Sequence, residues 1–154
     1  MAAWGVAAAI VAALIGALVF AGHSKPTAVP NTLQPADAYA ASLPLSQLAM
    51  SESTSMSGVK VTYLDGHITN SGSSTVAGVT VQVVFQNDEA LPPQIDTVPL
   101  TLIRTHEPYI DTQPVSAAPL KPGDDREFRL IFETVPENWN TQMPEVRIIQ
   151  TSLR

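Results

Sequence analysis

The sequence predicts an all-β domain preceded by one transmembrane α-helix, and three observations support this class. Apolar and polar residues alternate with a period of two in several segments after residue 45. Short runs rich in Gly, Pro, Asn and Asp separate those segments. The first 22 residues carry no charged side chain and are apolar or small. We therefore divide the 154-residue chain into a transmembrane helix (1–22), a Pro-rich linker (23–44) and a β-sandwich domain (45–154).

The N-terminal run is long enough to cross a bilayer. A helix of about 21 residues is about 30 Å long, which matches the hydrocarbon core of a membrane. The run therefore predicts an uncleaved signal anchor. A cleaved signal peptide is the first alternative, because Val19–Ala21 fits a small-residue cleavage rule, although no basic region precedes the run. A buried helix of a soluble domain is the second alternative.

Small residues form a stripe along this predicted helix. They recur at a spacing of about four and include Gly5, Ala9, Ala13, Gly16 and Ala17. Residues four apart share a helix face, and small residues let a second helix approach closely in lipid. We therefore expect the helix to contact membrane lipid and to pack on other membrane-protein subunits or on a second copy. An alanine-rich composition alone is the competing explanation.

The expected location is the bacterial inner membrane, with a single pass and the β domain on the periplasmic, extracytoplasmic side. Charges flanking the run give little guidance on orientation. The linker that follows contains four prolines, at positions 26, 30, 35 and 44, which favour an extended, semi-rigid spacer. Such a segment either holds the domain away from the membrane or lies along a partner.

Three strands are predicted in the first half of the domain. Ser46–Ser51 is the first, and residues 59–70 form the second, with a bend or bulge at Leu64–Gly66. In the third strand one face is apolar and consists of Val79, Val81, Val83 and Phe85, with Thr80, Gln82 and Gln86 opposite. This alternation is typical of a sheet with one buried face.

The second half predicts shorter strands. These are Thr97–Ile103, where Pro99 indicates an edge or bulge, Tyr109–Val115 as a further edge strand, Arg126–Thr134 after a turn, and Pro144–Leu153. Phe128, Leu130 and Phe132 share the inward face of the third of these. About seven short strands predict an antiparallel sandwich of immunoglobulin-like or fibronectin-like type.

Two stretches carry a family resemblance. "VTYLDGHITNSGSSTVAGVTVQVVFQND" with "LKPGDDREFRLIFE" resembles the envelope β-sandwich domains called FxLYD, although Val83, Phe85, Gln86 and Asn87 replace the four signature residues. Together with "PYIDT" and "NWNTQMPEV", the chain resembles more closely an uncharacterised bacterial domain-of-unknown-function family of single-pass membrane-anchored proteins. The resemblance implies a sandwich on an anchor and no activity.

Composition and motifs argue against several classes of function. A formal net charge of −6 with only eight Lys and Arg disfavours nucleic-acid binding, and the absence of Cys excludes thiolate chemistry. Asp65 and His67 share a strand face, but no Ser stands in a nucleophile elbow, so we expect a structural role for His67. His106, Glu107 and Asp111 match no usual ligand spacing. We expect no enzyme activity, no metal and no cofactor.

Aromatic residues in predicted loops indicate recognition instead. Tyr109, near Asp111, and Trp139 are candidates for a recognition surface, since exposed loop aromatics often anchor partners. The competing interpretation is that each ring plugs a corner of the core. The expected function is a non-enzymatic, membrane-anchored interaction module that serves as an accessory or structural subunit of a larger assembly. The alternative is a receptor-like domain that binds a peptide or glycan.

Overall fold

The computed structural model describes residues 32–154. The transmembrane helix predicted for residues 1–22, including its five helix-packing positions, lies outside the described residues, as does the first part of the predicted linker. Within residues 32–154 no helix is long and apolar enough to cross a membrane.

Eight antiparallel strands confirm the all-β prediction for the described part of the chain. Their bounds are β1 Leu45–Thr54, β2 Lys60–Thr69, β3 Val76–Phe85, β4 Gln94–Pro99, β5 Thr101–Thr105, β6 Asp111–Pro114, β7 Asp125–Phe132 and β8 Glu145–Leu153. Two short 3₁₀ helices cover Ala40–Ser42 and Val115–Ala117. One sheet has five strands in the order β1-β2-β7-β5-β6, and the other has three in the order β4-β3-β8.

The two sheets enclose one hydrophobic core. The apolar face predicted for β3 is confirmed, since Val79, Val81, Val83 and Phe85 all belong to this core. The inward face predicted for β7 (Phe128, Leu130 and Phe132) is confirmed in the same way. The rings of Phe85 and Phe132 meet edge to face, with centroids 5.2 Å apart, and so join the two sheets.

The segment predicted as one strand over Thr97–Ile103 is two strands in different sheets. β4 ends at Pro99, which has no N–H to continue a ladder. At Leu100 the chain passes from the three-stranded sheet to the five-stranded sheet. The N–H of Leu100 donates to the carbonyl of Val79, and its side chain is buried in the core. This crossover is why the structure has eight strands where about seven were predicted.

The bulge expected in β2 lies in its neighbour β1. β2 pairs with β7 in unbroken register from Thr62 to Thr69, whereas the β1–β2 register shifts between Ser46 and Ala49. Gly66 accommodates that bulge. A Cβ at Gly66 would lie 2.7 Å from the side chain of Leu48 and 2.8 Å from the ring of Phe128. The glycine therefore provides space between two side chains rather than a bend.

Residues 32–44, the second part of the predicted linker, contact the domain throughout; we call them the strap. The buried side chain of Gln82, on the outer face of β3, accepts a hydrogen bond from the N–H of Gln34 and donates one to the carbonyl of Thr32. Further on, the N–H of Asp37 donates to Ile148 in β8. Leu43 then enters the core with 1% of its surface exposed. The strap thus passes from the outer face of the three-stranded sheet, beside β8, to β1.

Candidate functional site: the ionic face and the Tyr109 loop

The outer face of the five-stranded sheet carries a connected set of charged and polar side chains. Outward residues of β2 lie directly opposite outward residues of β7, because the two strands pair antiparallel. Asp65 is opposite Arg129, and His67 is opposite Glu127. We call this set the ionic face; it consists of Tyr63, Asp65, His67, Thr69, His106, Asp125, Glu127 and Arg129.

Asp65 and Arg129 form the least exposed pair of the ionic face. The guanidinium Nε and Nη2 donate to the two carboxylate oxygens, each over 2.7 Å. The carbon at the centre of the same guanidinium lies 4.4 Å from the centroid of the Tyr63 ring. The hydrogen bonds that Arg129 donates to Asp65 raise the pKa of Arg129 above its ordinary value, against the opposing effect of burial. Two parallel bonds and a ring contact hold this side chain in one orientation.

His67 and Thr69 both contact Asp125 at the start of β7. The His67 Nδ1 lies 2.7 Å from Asp125 Oδ1, and the Thr69 hydroxyl donates to Oδ2 over 2.5 Å. Hydrogen bonds from His67 and then from Thr69 lower the pKa of Asp125 below its ordinary value. The carboxylate therefore stays ionised at neutral pH and holds two neighbouring side chains of β2.

Glu127 lies between two histidines. Its Oε1 is 3.7 Å from His67 Nε2, and its Oε2 is 2.6 Å from His106 Nε2. His67 belongs to β2, Glu127 to β7 and His106 to the connection between β5 and β6. One carboxylate thus links the sheet to that connection.

The β5–β6 connection presents Tyr109; we call residues 105–111 the Tyr109 loop. His106 fixes one side of the loop through Glu127. On the other side Arg104 donates to Asp111 from both Nε and Nη2. The Thr105 hydroxyl donates to the carbonyl of Glu107 over 3.0 Å inside the loop. Tyr109 lies between these contacts with 71% of its surface exposed.

Trp139 occupies a different environment from Tyr109. Its ring packs edge to face on Phe85, with centroids 5.6 Å apart, and its Nε1 donates to the carbonyl of Gln142. It follows the C-terminal end of β7, whereas the Tyr109 loop lies near the start of β7, where Glu127 contacts His106. The structure therefore brings Tyr109 and Asp111 together in one loop and places Trp139 at the opposite end of the domain.

A small cleft lies beside the Tyr109 loop. Its volume is about 200 Å³, and it is lined by Gln47, Asp65, Gly66, His67, Ile103, His106 and Glu127. Asp65 and His67 share a face as predicted, but they contact Arg129 and Asp125 respectively rather than each other. Across residues 32–154 no group of three or more His, Asp or Glu side chains has the geometry of a metal site.

Sequence reasoning missed the ionic face as a unit. Its contacts join residues up to 64 positions apart, and nothing in a single strand indicates which strand will pair with it. The available signal was that Asp65 and His67 alternate with Leu64, Gly66 and Ile68, and that Glu127 and Arg129 alternate with Phe128 and Leu130. Once β2 and β7 are known to be antiparallel neighbours, complementary charges fall opposite each other.

Comparison with known proteins places the chain in a family. The family model described as "Protein of unknown function (DUF2393)" matches residues 43–151, which begins at the buried Leu43 and ends inside β8. No curated protein and no solved structure matches the chain. The match spans well over half of the sequence and confirms the resemblance to a domain-of-unknown-function family. The chain belongs to the DUF2393 family of proteins of unknown function.

Proposed function

We propose that this protein is a non-enzymatic interaction module, held in the bacterial inner membrane by one N-terminal helix, with its β domain on the periplasmic side. In this role it is an accessory subunit of a larger membrane or envelope assembly. The observation that carries the proposal is the Tyr109 loop, which exposes a large aromatic side chain while a histidine–carboxylate contact and an Arg–Asp ion pair fix the loop on its two sides.

An exposed tyrosine on a loop that is already held in place favours recognition for an energetic reason. A tyrosine supplies a large contact area with few rotatable bonds, and such residues dominate binding at many interfaces. Ordering a flexible loop on binding costs conformational entropy. The Tyr109 loop is already held by the His106–Glu127 and Arg104–Asp111 contacts, so it loses less conformational entropy when a partner binds. Asp111 and the ionic face supply polar groups around the ring, as at the rim of a protein interface.

The membrane part of the proposal rests on the sequence. Residues 2–22 are uncharged and long enough to span a bilayer, and their small-residue stripe offers a face for a second helix. Lipid and other membrane subunits are the proposed partners, and the acidic net charge of −6 disfavours nucleic acid.

We also assign the domain to the immunoglobulin-like or fibronectin-like sandwiches, in keeping with the FxLYD resemblance. The order β1-β2-β7-β5 supports this assignment, because it corresponds to strands A, B, E and D of such folds. β3 and β8, paired in the other sheet, correspond to strands C and F. In these folds the loops at the two ends of the sandwich commonly bind partners.

A receptor for a small peptide or glycan receives less support. The cleft beside His67 and His106 has a volume of about 200 Å³, below the roughly 300–1,000 Å³ typical of ligand pockets. Tyr109 and Trp139, the two aromatics that this alternative needs on one surface, lie at opposite ends of the domain.

Blue-native electrophoresis of solubilised native membranes tests the proposal. We expect the wild-type chain in a band larger than the monomer, and we expect Tyr109→Ala to reduce that band at least about tenfold. Leu91→Ala is the matched control, because Leu91 is also exposed (57%) but lies in the β3–β4 loop at the other end of the domain. Wild-type migration only as a lone monomer, or equal bands for Tyr109→Ala and Leu91→Ala, contradicts the proposal.

A further inference from the structure

Three of the four strands at the sheet edges are protected against pairing with another chain. β6 is four residues long and ends at Pro114. β4 follows Pro92 and Pro93 and ends at Pro99. The strap covers part of β8, where Asp37 bonds to the carbonyl of Ile148 and the N–H of Thr151. Short strands, prolines and covering segments are the usual means of blocking an edge.

β1 has none of these protections along its second half. It is ten residues long and contains no Pro and no Lys. Its one charged residue is Glu52, which is already paired with Lys60 over 2.8 Å. Residues Ala49–Thr54 follow the bulge and pair with β2 in unbroken register. In the described part of the chain no strand pairs with β1 on its other side.

We propose that a second copy of this chain covers the edge, with β1 of each copy antiparallel to β1 of the other. The two five-stranded sheets then form one sheet of ten strands around a two-fold axis. This deepens the proposed function by naming a second copy as one of its partners. Such an isologous contact is the commonest arrangement of homodimers.

Charge fixes the register of this contact. Directly opposed residues of an antiparallel pair point to the same face of the sheet. In a two-fold symmetric pair of β1 strands, one residue of each strand must therefore lie opposite the same residue of the other copy. The middle of the unbroken run Ala49–Thr54 is Ser51 or Glu52. Two Glu52 side chains opposite each other would repel, whereas two Ser51 side chains are neutral and can hydrogen-bond. Ser51 is therefore the self-opposed residue, and Glu52 faces Met50 of the other copy.

This register also covers an exposed apolar side chain. Met56, at the turn after β1, is fully exposed. With Ser51 opposite itself, and with the bulge placing three residues of β1 over two positions of the ladder, residue 56 of one copy lies at the level of Leu45 of the other, next to the bulge that contains Leu48. These two leucines line an apolar groove of about 420 Å³ between β1 and β8. Each copy thus brings its Met56 to the groove of the other.

The point where the N-terminal segment leaves the domain fits the same symmetry. Thr32 lies on the outer face of the three-stranded sheet, through the hydrogen bond from Gln82. A two-fold axis perpendicular to the sheets keeps both copies of that face on one side. The two copies of Thr32 therefore lie on the same side, as two anchors in one bilayer require. This step alone rests on the proposed membrane anchor.

Site-specific disulfide formation in the full chain tests the contact. The protein has no Cys, so a single introduced cysteine reports only on itself. Opposed residues in an antiparallel pair have Cα atoms about 4.5–5.5 Å apart, within the range that a disulfide bridges. On oxidation in native membranes we expect Ser51→Cys to give a covalent dimer at least about tenfold more than Ser116→Cys. Ser116 is also exposed but lies far from β1, in the 3₁₀ helix after β6.

A second variant tests the contact without an introduced cysteine, so that cysteine reactivity cannot explain the result. Ser51→Lys places two like charges opposite each other, so the detergent-solubilised full chain should fall from dimer to monomer mass, whereas Ser116→Lys should stay dimeric. Equal cross-linking at positions 51 and 116, together with no mass change in Ser51→Lys, overturns the inference. A membrane-bound chain without the position-51 cross-link contradicts this contact alone, whereas a cross-linked dimer in the soluble fraction supports the contact and contradicts the proposed anchor.

Discussion

Gly66 shows, at the scale of a single residue, how the sheet accepts the bulge in β1. Replacement by Ala puts a methyl group within 2.8 Å of the buried Phe128 ring and 2.7 Å of Leu48. Overpacking of this kind costs about 1–3 kcal/mol. We therefore expect Gly66→Ala to lower the free energy of unfolding by that amount, measured by urea denaturation.

Gly78→Ala is the control for this prediction. A Cβ at Gly78 meets only the Ser152 side chain, at 3.3 Å or more, so the change should stay within about 0.5 kcal/mol. Equal effects of the two substitutions would contradict the packing role given to Gly66.

Asp37 makes the stability of the domain depend on pH. Its carboxylate accepts hydrogen bonds from the N–H of Tyr39 and from the hydroxyl and N–H of Thr151. The bond from Tyr39, and more weakly those from Thr151, lower the pKa of Asp37 in the folded state, against the opposing effect of burial. A lowered folded-state pKa means that the unfolded chain binds the proton more readily. The stabilisation is therefore complete above about pH 4 and is lost as the pH falls through the folded pKa.

Asp37→Asn tests this dependence. We expect the variant to be less stable than the wild type by about 1 kcal/mol at pH 7, and the two proteins to converge as the pH falls from about 4 to 2. The difference in stability between the wild type and Asp125→Asn should shrink over the same range, since the pKa of Asp125 is lowered too. A constant difference between wild type and Asp37→Asn from pH 7 to pH 2 would rule out the proposed linkage.

Single residues of the ionic face were visible in the sequence, but their partners were not. The alternation around Asp65 and His67 correctly predicts that both side chains lie on one face. Their actual partners, Arg129 and Asp125, are set by the pairing of β2 with β7. Contacts between residues about 60 positions apart depend on topology, which local periodicity does not determine.

At the scale of elements, the strap is part of the domain. Leu43 is 1% exposed and lies in the core beside residues of both sheets. Removing most of such a side chain costs about 2–5 kcal/mol. We expect Leu43→Ala to destabilise the domain by that amount, with the loss visible as a lower thermal midpoint.

Leu33→Ala is the matched substitution within the strap. Leu33 is 43% exposed, so its truncation should change stability by no more than about 0.5 kcal/mol. If Leu43→Ala were equally mild, the strap would be a tether rather than part of the fold.

Strand prediction succeeded where alternation was strict and failed where the chain changed sheets. The apolar faces of β3 and β7 follow from period two alone. The crossover at Leu100 does not, because Val98, Leu100 and Leu102 keep the same period while the backbone passes from one sheet to the other. Proline at position 99 marked the place, but its absent N–H is compatible with an edge, a bulge or a crossover alike.

At the scale of the whole molecule, different surfaces have different roles in this account. The ionic face holds the Tyr109 loop, which we propose contacts a partner; the β1 edge is the proposed site of a second copy; and the strap closes the side near β8. Of these roles, the proposed place in a membrane assembly depends on a chain that stays attached to the membrane through residues 1–22, as we propose.

The most direct test of that dependence is the intact mass of the chain recovered from carbonate-washed native membranes. We expect the protein to resist carbonate extraction and its mass to include the N-terminal run from the first residues. Recovery in the soluble fraction, with a mass corresponding to a chain that starts near His23, would contradict the central claim.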